Sequence, residues 1–168
     1  NGGSAADCGH IAAELGKGFL RRRPAPEEAR QQLEVSLGKE EASAFAELQD
    51  GLCAISLCDS STLLTAIAND LSADLVFAQQ IFAMGRAGDV LIGLSTSGCS
   101  LNVVRAVQVA RSRGMTVIGF RGQTPGRMDA FCDILFPVSA VETYAVQELH
   151  MALYHGLCAM VEARLFPE

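Results

Sequence analysis

Two spacings of apolar residues alternate along the chain, and their alternation predicts its secondary structure. Short runs rich in branched apolar residues, typical of buried strands, occur at 52–57, 89–94, 116–120 and 134–138. Apolar residues spaced three or four apart predict helices at 5–15, 62–68, 73–84, 101–111 and 143–165, with a short one at 128–132. Strands that alternate with helices indicate right-handed βαβ units. We therefore expect an α/β fold with a doubly wound parallel sheet and helices on both faces.

Residues 19–50 interrupt this alternation. Pro24 and Pro26 end the first helix, and two charged, helix-favouring segments at 27–37 and 40–48 are separated by Gly38, a predicted C-cap. The pattern predicts a helical insertion in a single domain that spans residues 1–168. Whether the insertion covers the sheet edge, covers the site or meets another subunit is left open.

Composition and charge narrow the classes of function. A chain of 168 residues with 49% hydrophobic composition has the size of one domain with a full core. The net charge of −6 argues against a nucleic-acid surface, and Arg21 to Arg23 are interpreted as a solvated helix end. No apolar run suits a membrane span and no secretory pattern is visible. We therefore expect a cytoplasmic location and no membrane partner.

The six cysteines form no C-x-x-C pair and lie among apolar or small residues. We expect most of them to be buried, reduced thiols that act as small hydrophobes. Cys99 is the exception, because its place beside a helix N-terminus favours a reactive thiolate.

The turn between the second predicted strand and its helix carries the clearest chemical signal. Ser95, Thr96, Ser97 and Ser100 surround Gly98 where the first helical N–H groups have no partner inside the helix. These donors and the helix dipole favour an anion, and the hydroxyls can donate further hydrogen bonds. A cap needs only one hydroxyl, so phosphate binding explains the turn better than capping by Ser97 or Ser100.

This turn, which reads Ser-Thr-Ser-Gly-x-Ser after Gly-Asp-Val-Leu-Ile-Gly, resembles that of sugar isomerase (SIS) domains, and specifically of the phosphoheptose isomerases. The resemblance implies that Ser95, Thr96, Ser97 and Ser100 hold a sugar phosphate. Cys99 departs from the family's usual asparagine. The same resemblance places Asn69 and Asp70 near the substrate, although by itself Asn-Asp is a turn or C-cap signal.

The start of the chain supports the same resemblance. Asn1, Gly2, Gly3 and Ser4 match the family's Gly-rich segment that follows its first strand, so Asn1 and Ser4 are expected to line the sugar site. The family's first strand and N-terminal helix would precede residue 1. We therefore expect the protein to extend upstream, because a sheet that lacks a strand leaves backbone groups unpaired.

His10 and Glu14 lie four residues apart and share a helix face. Spacing alone allows an exposed pair, two ligands of one metal, or an acid and a base. The resemblance implies that Glu14 is the catalytic base.

The last helix carries Gln147, Glu148 and His150, followed by His155, in the order of the family's Gln-Glu-x-His pattern. The resemblance makes His155 the catalytic acid and brings Gln147 to the substrate. Ala145 departs from a usual arginine. Some members of the family bind zinc, and the resemblance implies that His10, Glu14, Gln147 and His155 are the corresponding ligands; no organic cofactor is expected.

The resemblance implies an aldose-ketose isomerase that converts sedoheptulose 7-phosphate to glycero-manno-heptose 7-phosphate through an enediol. One alternative is a non-catalytic SIS module that senses a sugar phosphate or bridges proteins; another is an SIS enzyme of amino-sugar phosphates. The family usually forms homotetramers with sites between subunits. The final helix, apolar on all sides, agrees with burial in a homo-oligomer.

Overall fold

The computed structural model describes residues 1–167. They divide into two compact units. The first comprises Asn1–Gly9 and Ser56–Leu153, and the second comprises His10–Ile55 and the chain from Tyr154 onward.

The sheet of the first unit is parallel, as the alternating pattern predicts. Its strands are β1 (Val90–Leu94), β2 (Thr116–Arg121) and β3 (Ile134–Pro137), in the spatial order β1-β2-β3. Within the described chain the helices are α1 (Gly3–Gly16), α2 (Glu27–Leu37), α3 (Lys39–Ala42), α4 (Ser61–Asp70), α5 (Ala78–Met84), α6 (Leu101–Ser112) and α7 (Thr143–Leu165).

Helices cover both faces of this sheet. On one face, a Cβ added to Gly93 of β1 would lie 3.3 Å from Val107 of α6. Gly93 pairs with Gly119 of β2, and the next residue, Phe120, points to the opposite face because side chains alternate along a strand. There the Phe120 ring meets His150 of α7 at a centroid distance of 5.6 Å. The expected α/β architecture is therefore confirmed.

Four predicted elements differ from the structure. The predicted helix at 73–84 is divided into a 3₁₀ turn at Ala73–Leu75 and α5, and the predicted helix at 128–132 is a 3₁₀ turn at Asp129–Phe131. Residues 52–57 form no strand, since no strand among residues 1–167 pairs with them, and Ile55 is 65% exposed. The predicted helix at 40–48 is limited to α3 and a 3₁₀ turn at Ser43–Phe45. The apolar run at 52–57 lacks a paired strand among the described residues. The segment at 39–45 buries no residue, so no packing stabilises a longer helix there.

The insertion is anchored at its ends. Helices α2 and α3 bury no residue, whereas Pro24 forms a β-bridge with Gln49 and the Asp50 N–H donates to the Arg23 carbonyl at 2.7 Å. The interpretation of Arg21 to Arg23 as a solvated helix end is wrong for Arg23, which is only 2% exposed. The Arg23 guanidinium pairs with the carboxylate of Glu162 in α7, and the run of three arginines in the sequence did not predict this ion pair.

The cysteines are more exposed than expected. All six are free thiols, but only Cys158 is buried, while Cys53 and Cys99 are exposed. Over residues 1–167, no helix combines the length and apolar character that crossing a bilayer requires.

Candidate functional site

The Ser95–Ser100 turn of the first unit is compact and rich in hydroxyls. Gly98 adopts a positive φ of 63°, and its N–H donates to the Ser95 carbonyl at 2.9 Å. The buried Ser95 places its Oγ 3.3 Å from the Oγ of Ser100, and the Oγ of Ser97 accepts the Cys99 N–H at 3.2 Å. The turn thus gathers the predicted hydroxyls at the end of β1.

The start of α6 does not consume the Ser100 hydroxyl. Ser100 occupies the N-cap position but makes no side-chain cap hydrogen bond. The Val103 N–H donates instead to Oδ1 of Asn102 at 3.0 Å. The Ser100 hydroxyl lies beside the orphan N–H groups at the positive end of the helix, where an anion is favoured.

The loop at 122–128 contacts the Ser95–Ser100 turn through backbone hydrogen bonds. The Gly122 N–H donates to the Thr96 carbonyl at 2.9 Å, and the Met128 N–H donates to the Gly98 carbonyl at 3.0 Å. A Cβ added to Gly126 would lie 2.4 Å from the Gly98 Cα, so only glycine fits there.

The buried Arg121 side chain stabilises the loop at 122–128. Its Nε donates to Asp129 at 2.9 Å, and its Nη1 donates to the Gly122 carbonyl at 2.7 Å. The guanidinium therefore fixes the loop that supports Gly98. Its place at the end of β2 gave no signal of this role in the sequence.

The predicted Gly-rich start lies in the same unit. Asn1 and Asn102 exchange side-chain amide hydrogen bonds at 2.8 and 2.9 Å, which places Asn1 beside the first turn of α6. A Cβ on Gly3 would lie 2.7 Å from Nε2 of Gln147, whose amide donates to the buried Ser4 hydroxyl at 3.4 Å. Gly3, Ser4 and Gln147 therefore lie together, and their contact with a sugar stays a prediction.

The buried His150 of α7 also belongs to the first unit. Neither of its ring nitrogens has a hydrogen-bond partner among the described residues. Burial lowers the pKa of His150, and the nearby Arg121 backbone and Asp7 carboxylate oppose this shift without reversing it. Burial thus disfavours the charged form of the ring, which packs against Phe120.

The second unit gathers the predicted acid and base around His10. The His10 Nε2 lies 3.1 Å from Oε1 of Glu14, and its Nδ1 lies 2.9 Å from the hydroxyl of Tyr154. The rings of His10 and His155 meet edge to face at 4.9 Å, and Phe19 stacks on His155 at 5.7 Å.

A buried carboxylate organises the segment that carries Phe19. Glu162 accepts the N–H groups of Phe19 and Leu20 at 2.8 Å each and pairs with Nε of Arg23 at 2.8 Å. Burial alone would raise the pKa of Glu162, but these backbone donors and the guanidinium outweigh burial and hold the pKa below its ordinary value.

The chain is similar in sequence to proteins of a known family. The SIS domain family matches residues 43–122. A phosphoheptose isomerase of Nitratidesulfovibrio vulgaris is 40% identical over 166 residues, which are 99% of this chain and 67% of the relative. One of Rhodospirillum rubrum is 39% identical over 98% of this chain and 74% of the relative. The chain belongs to the phosphoheptose isomerase family.

Solved structures of the family have the same fold. The phosphoheptose isomerase of Neisseria gonorrhoeae superposes with a TM-score of 0.75 at 37% identity, covering 97% of this chain and 73% of that one. The enzyme of Francisella tularensis gives a TM-score of 0.76 at 26% identity, covering 96% and 72%. The resemblance stated from the motifs is confirmed.

Asn69 and Asp70, which the resemblance places near the substrate, lie in α4. They end α4, both are exposed, and the Nδ2 of Asn69 donates to Oδ1 of Asp70 at 2.8 Å. Their described side-chain hydrogen bond is thus with each other. Their contact with substrate stays a prediction.

The predicted zinc ligands are not assembled as a complete donor set. His10 and Glu14 are adjacent, but within residues 1–167 no group of three or more His, Cys, Asp or Glu side chains is arranged to hold a metal ion. Both ring nitrogens of His10 already face protein partners. Zinc binding by His10, Glu14, Gln147 and His155 therefore stays a prediction.

Several residues that contact the predicted site residues were not predicted from the sequence. Tyr154, Phe19 and Glu162 gave no separate signal, because apolar and charged residues are ordinary in a helix and an inserted segment. Asn102, in the first turn of α6, could have been noticed, since an asparagine beside a phosphate-binding turn offers polar groups at the right place.

Proposed function

We propose that this chain is an aldose-ketose isomerase that interconverts sedoheptulose 7-phosphate and glycero-manno-heptose 7-phosphate through an enediol. Family membership supports this reaction, since the curated relatives are named phosphoheptose isomerases. The residues of the chain supply the two chemical needs of the reaction, which are an anion site and a pair of proton-transfer groups.

The Ser95–Ser100 turn is proposed to hold the phosphate group. Its hydroxyls and the free N–H groups at the start of α6 are donors, and an anion there also meets the positive end of the helix dipole. Binding energy gained at the phosphate, far from the reacting carbons, fixes the position of the sugar.

Glu14 and His155 are proposed to move the protons. Glu14 takes a proton from C1 of the ketose, which leaves an enediol, and returns it to C2. His155 carries a proton between the oxygens on C1 and C2, so that the carbonyl and hydroxyl exchange places. No oxidant or reductant enters, because the two carbons exchange oxidation states within one molecule.

One observation carries this proposal. Helices α1 and α7 bring Glu14 and His155 into contact with the same His10 ring, at 3.1 Å for the carboxylate and 4.9 Å between the ring centroids. A non-catalytic phosphate sensor has no need of a carboxylate and an imidazole so placed.

Substitution of Glu14 by glutamine tests the proposal. Loss of a general base is expected to lower kcat by about a thousandfold, measured by NMR of sedoheptulose 7-phosphate conversion. Binding of the sugar phosphate, measured by calorimetry, should survive. Glu28→Gln, on the exposed face of α2, is the matched control. Turnover of the Glu14→Gln variant at the normal rate would remove Glu14 from the mechanism.

A homotetramer is part of the same proposal. Helix α7 leaves Leu149, Met151 and Met160 more than 40% exposed, which supports burial against further copies of the chain. Light scattering of the purified protein should give the mass of four copies, and a monomer at working concentration would contradict this part.

A further inference from the structure

We infer that the ion pair between Arg121 and Asp129 sets the affinity of the Ser95–Ser100 turn for phosphate, because it fixes the direction of a backbone N–H group in the turn. The inference rests on the proposed function, in which this turn holds the phosphate of the sugar. Arg121 and Asp129 are then positioning residues, because they act on the turn through the loop at 122–128.

The ion pair ties the two ends of the loop at 122–128 together. Nε of Arg121 donates to Oδ2 of Asp129 at 2.9 Å, and the same oxygen accepts the Gly126 N–H at 3.2 Å. Nη1 of the guanidinium donates to the carbonyls of Gly122 and Gln123 at 2.7 and 3.0 Å. The two charged side chains are only 9% and 22% exposed, so water competes weakly for these hydrogen bonds.

The loop in turn holds two carbonyl groups of the Ser95–Ser100 turn. The Gly122 N–H donates to the Thr96 carbonyl at 2.9 Å, and the Met128 N–H donates to the Gly98 carbonyl at 3.0 Å. Each of these two donors is adjacent in sequence to one residue of the ion pair. Loss of the ion pair would therefore loosen both contacts between the loop and the turn.

A fixed carbonyl group also fixes the N–H group that follows it. In a trans peptide the two groups point in opposite directions, so the Ser97 N–H points away from the donor that holds the Thr96 carbonyl. Within residues 1–167 no acceptor takes this N–H, which leaves it as a donor for an anion. The held Gly98 carbonyl directs the Cys99 N–H in the same way, and that N–H donates to the Ser97 hydroxyl at 3.2 Å.

The consequence is that the ion pair controls which face of a peptide group the phosphate meets. A peptide at Thr96 and Ser97 that turned over would present its carbonyl oxygen to the anion in place of an N–H. The guanidinium also lies against the turn, since a Cβ added to Gly98 would be 3.4 Å from Cδ of Arg121.

Three substitutions isolate this ion pair. Asp129→Asn keeps the size of the side chain and removes its charge, whereas Arg121→Gln removes the guanidinium. The pair of Arg111 with Asp133 has the same N–O distance of 2.9 Å, but its side chains are 52% and 41% exposed. Arg111→Gln is therefore a matched control.

The decisive measurement is an NMR titration of the Ser97 amide with inorganic phosphate. In the wild-type chain this amide should shift as phosphate binds. Asp129→Asn should raise the phosphate Kd about tenfold, the equivalent of one oriented hydrogen bond, and Arg111→Gln should leave it unchanged. The double variant with Arg121→Gln should lose no more than Asp129→Asn alone, because both substitutions break one pair.

Two results of this titration would overturn the inference. One is a wild-type Ser97 amide that does not respond to phosphate. The other is a lower melting temperature of Asp129→Asn with the wild-type Kd, which would give the ion pair a purely structural role. If Arg121→Gln does not fold, Asp129→Asn decides the question alone.

Kinetics provide the second measurement. The KM of Asp129→Asn for sedoheptulose 7-phosphate should rise about tenfold with kcat unchanged, because the phosphate is bound equally in the ground state and the transition state. A lower kcat with unchanged KM would contradict the inference. If the wild-type chain binds phosphate but has no isomerase activity, the proposed reaction fails, and the NMR titration still decides the role of the ion pair.

Discussion

The Ser95–Ser100 turn and the group of side chains around His10 are built in opposite ways. The turn consists of six consecutive residues between a strand and a helix, and its shape follows from Gly98 and the start of α6. The His10 group joins residues of α1, of α7 and of the segment at Phe19, which are far apart in sequence. A local site depends on its own backbone, whereas an assembled one depends on the packing that brings its parts together.

The largest expected effect tests that dependence on packing. Glu162→Ala should lower the free energy of unfolding by about 3–5 kcal/mol, because it leaves the buried Arg23 guanidinium without its carboxylate. Chemical denaturation measures the change, with Glu148→Ala on the exposed side of α7 as control. An equal, small effect of both substitutions would show that the Glu162 contacts do not hold the insertion in place.

The same pair predicts a dependence on pH. Since the folded pKa of Glu162 is lowered, its contribution to stability is fully present above the ordinary glutamate pKa of about 4.3 and is lost as the pH falls through the folded value. The stability difference between wild type and Glu162→Ala should therefore shrink in acid. A difference that is constant from neutral pH into acid would contradict the ionised pair.

A smaller effect is expected where the turn itself depends on a neighbour. Gly126→Ala introduces a Cβ only 2.4 Å from the Gly98 Cα, so one of the two loops must move. We expect a loss of about 1–3 kcal/mol in stability and weaker binding of inorganic phosphate, measured by calorimetry. Gly16→Ala, where the added Cβ meets nothing within 4 Å, is the control. Unchanged phosphate binding would show that the Ser95–Ser100 turn does not need the close contact between Gly126 and Gly98.

Two serines at helix starts separate capping from anion binding. Ser60 caps α4 by accepting the Leu63 N–H at 3.2 Å, so Ser60→Ala should cost about 1 kcal/mol of stability. Ser100 makes no such bond, and its hydroxyl instead accepts from the buried Ser95 hydroxyl at 3.3 Å, so Ser100→Ala should weaken phosphate binding, which Ser60→Ala should leave unchanged. Loss of stability in Ser100→Ala with unchanged phosphate binding would identify Ser100 as a cap.

The smallest effect concerns another contact between distant segments. A hydrogen bond from Cys8 is the main reason that the pKa of Cys58 is lowered to about 7. The same hydrogen bond and burial raise the pKa of Cys8. Cys58 should therefore react with iodoacetamide near neutral pH faster in wild type than in Cys8→Ala, as followed by peptide mass spectrometry. The exposed Cys53 is the internal reference. Equal rates in both proteins would mean that the two thiols do not interact.

Local patterns of residues were enough to predict several elements of the fold. The strands at 90–94, 116–121 and 134–137 and the helix over Glu27–Leu37 follow from apolar spacing and turn residues, and the tight turn at 95–100 follows from its hydroxyls and glycine. The motifs also indicated the family, which the relatives confirm. In each case the pattern that predicts the element lies within one short segment, although each strand also needs a paired neighbour in order to form.

Other features depend on contacts between segments that are far apart in the sequence. The tertiary structure showed that Arg23 is buried against Glu162, that residues 52–57 have no strand partner among the described residues, and that the Tyr154 hydroxyl meets His10. An arginine, an apolar run or a tyrosine has the same local pattern whether it faces water or a buried partner. Its role is fixed by which distant group folding brings within hydrogen-bond range, and that distance is a property of the packed chain.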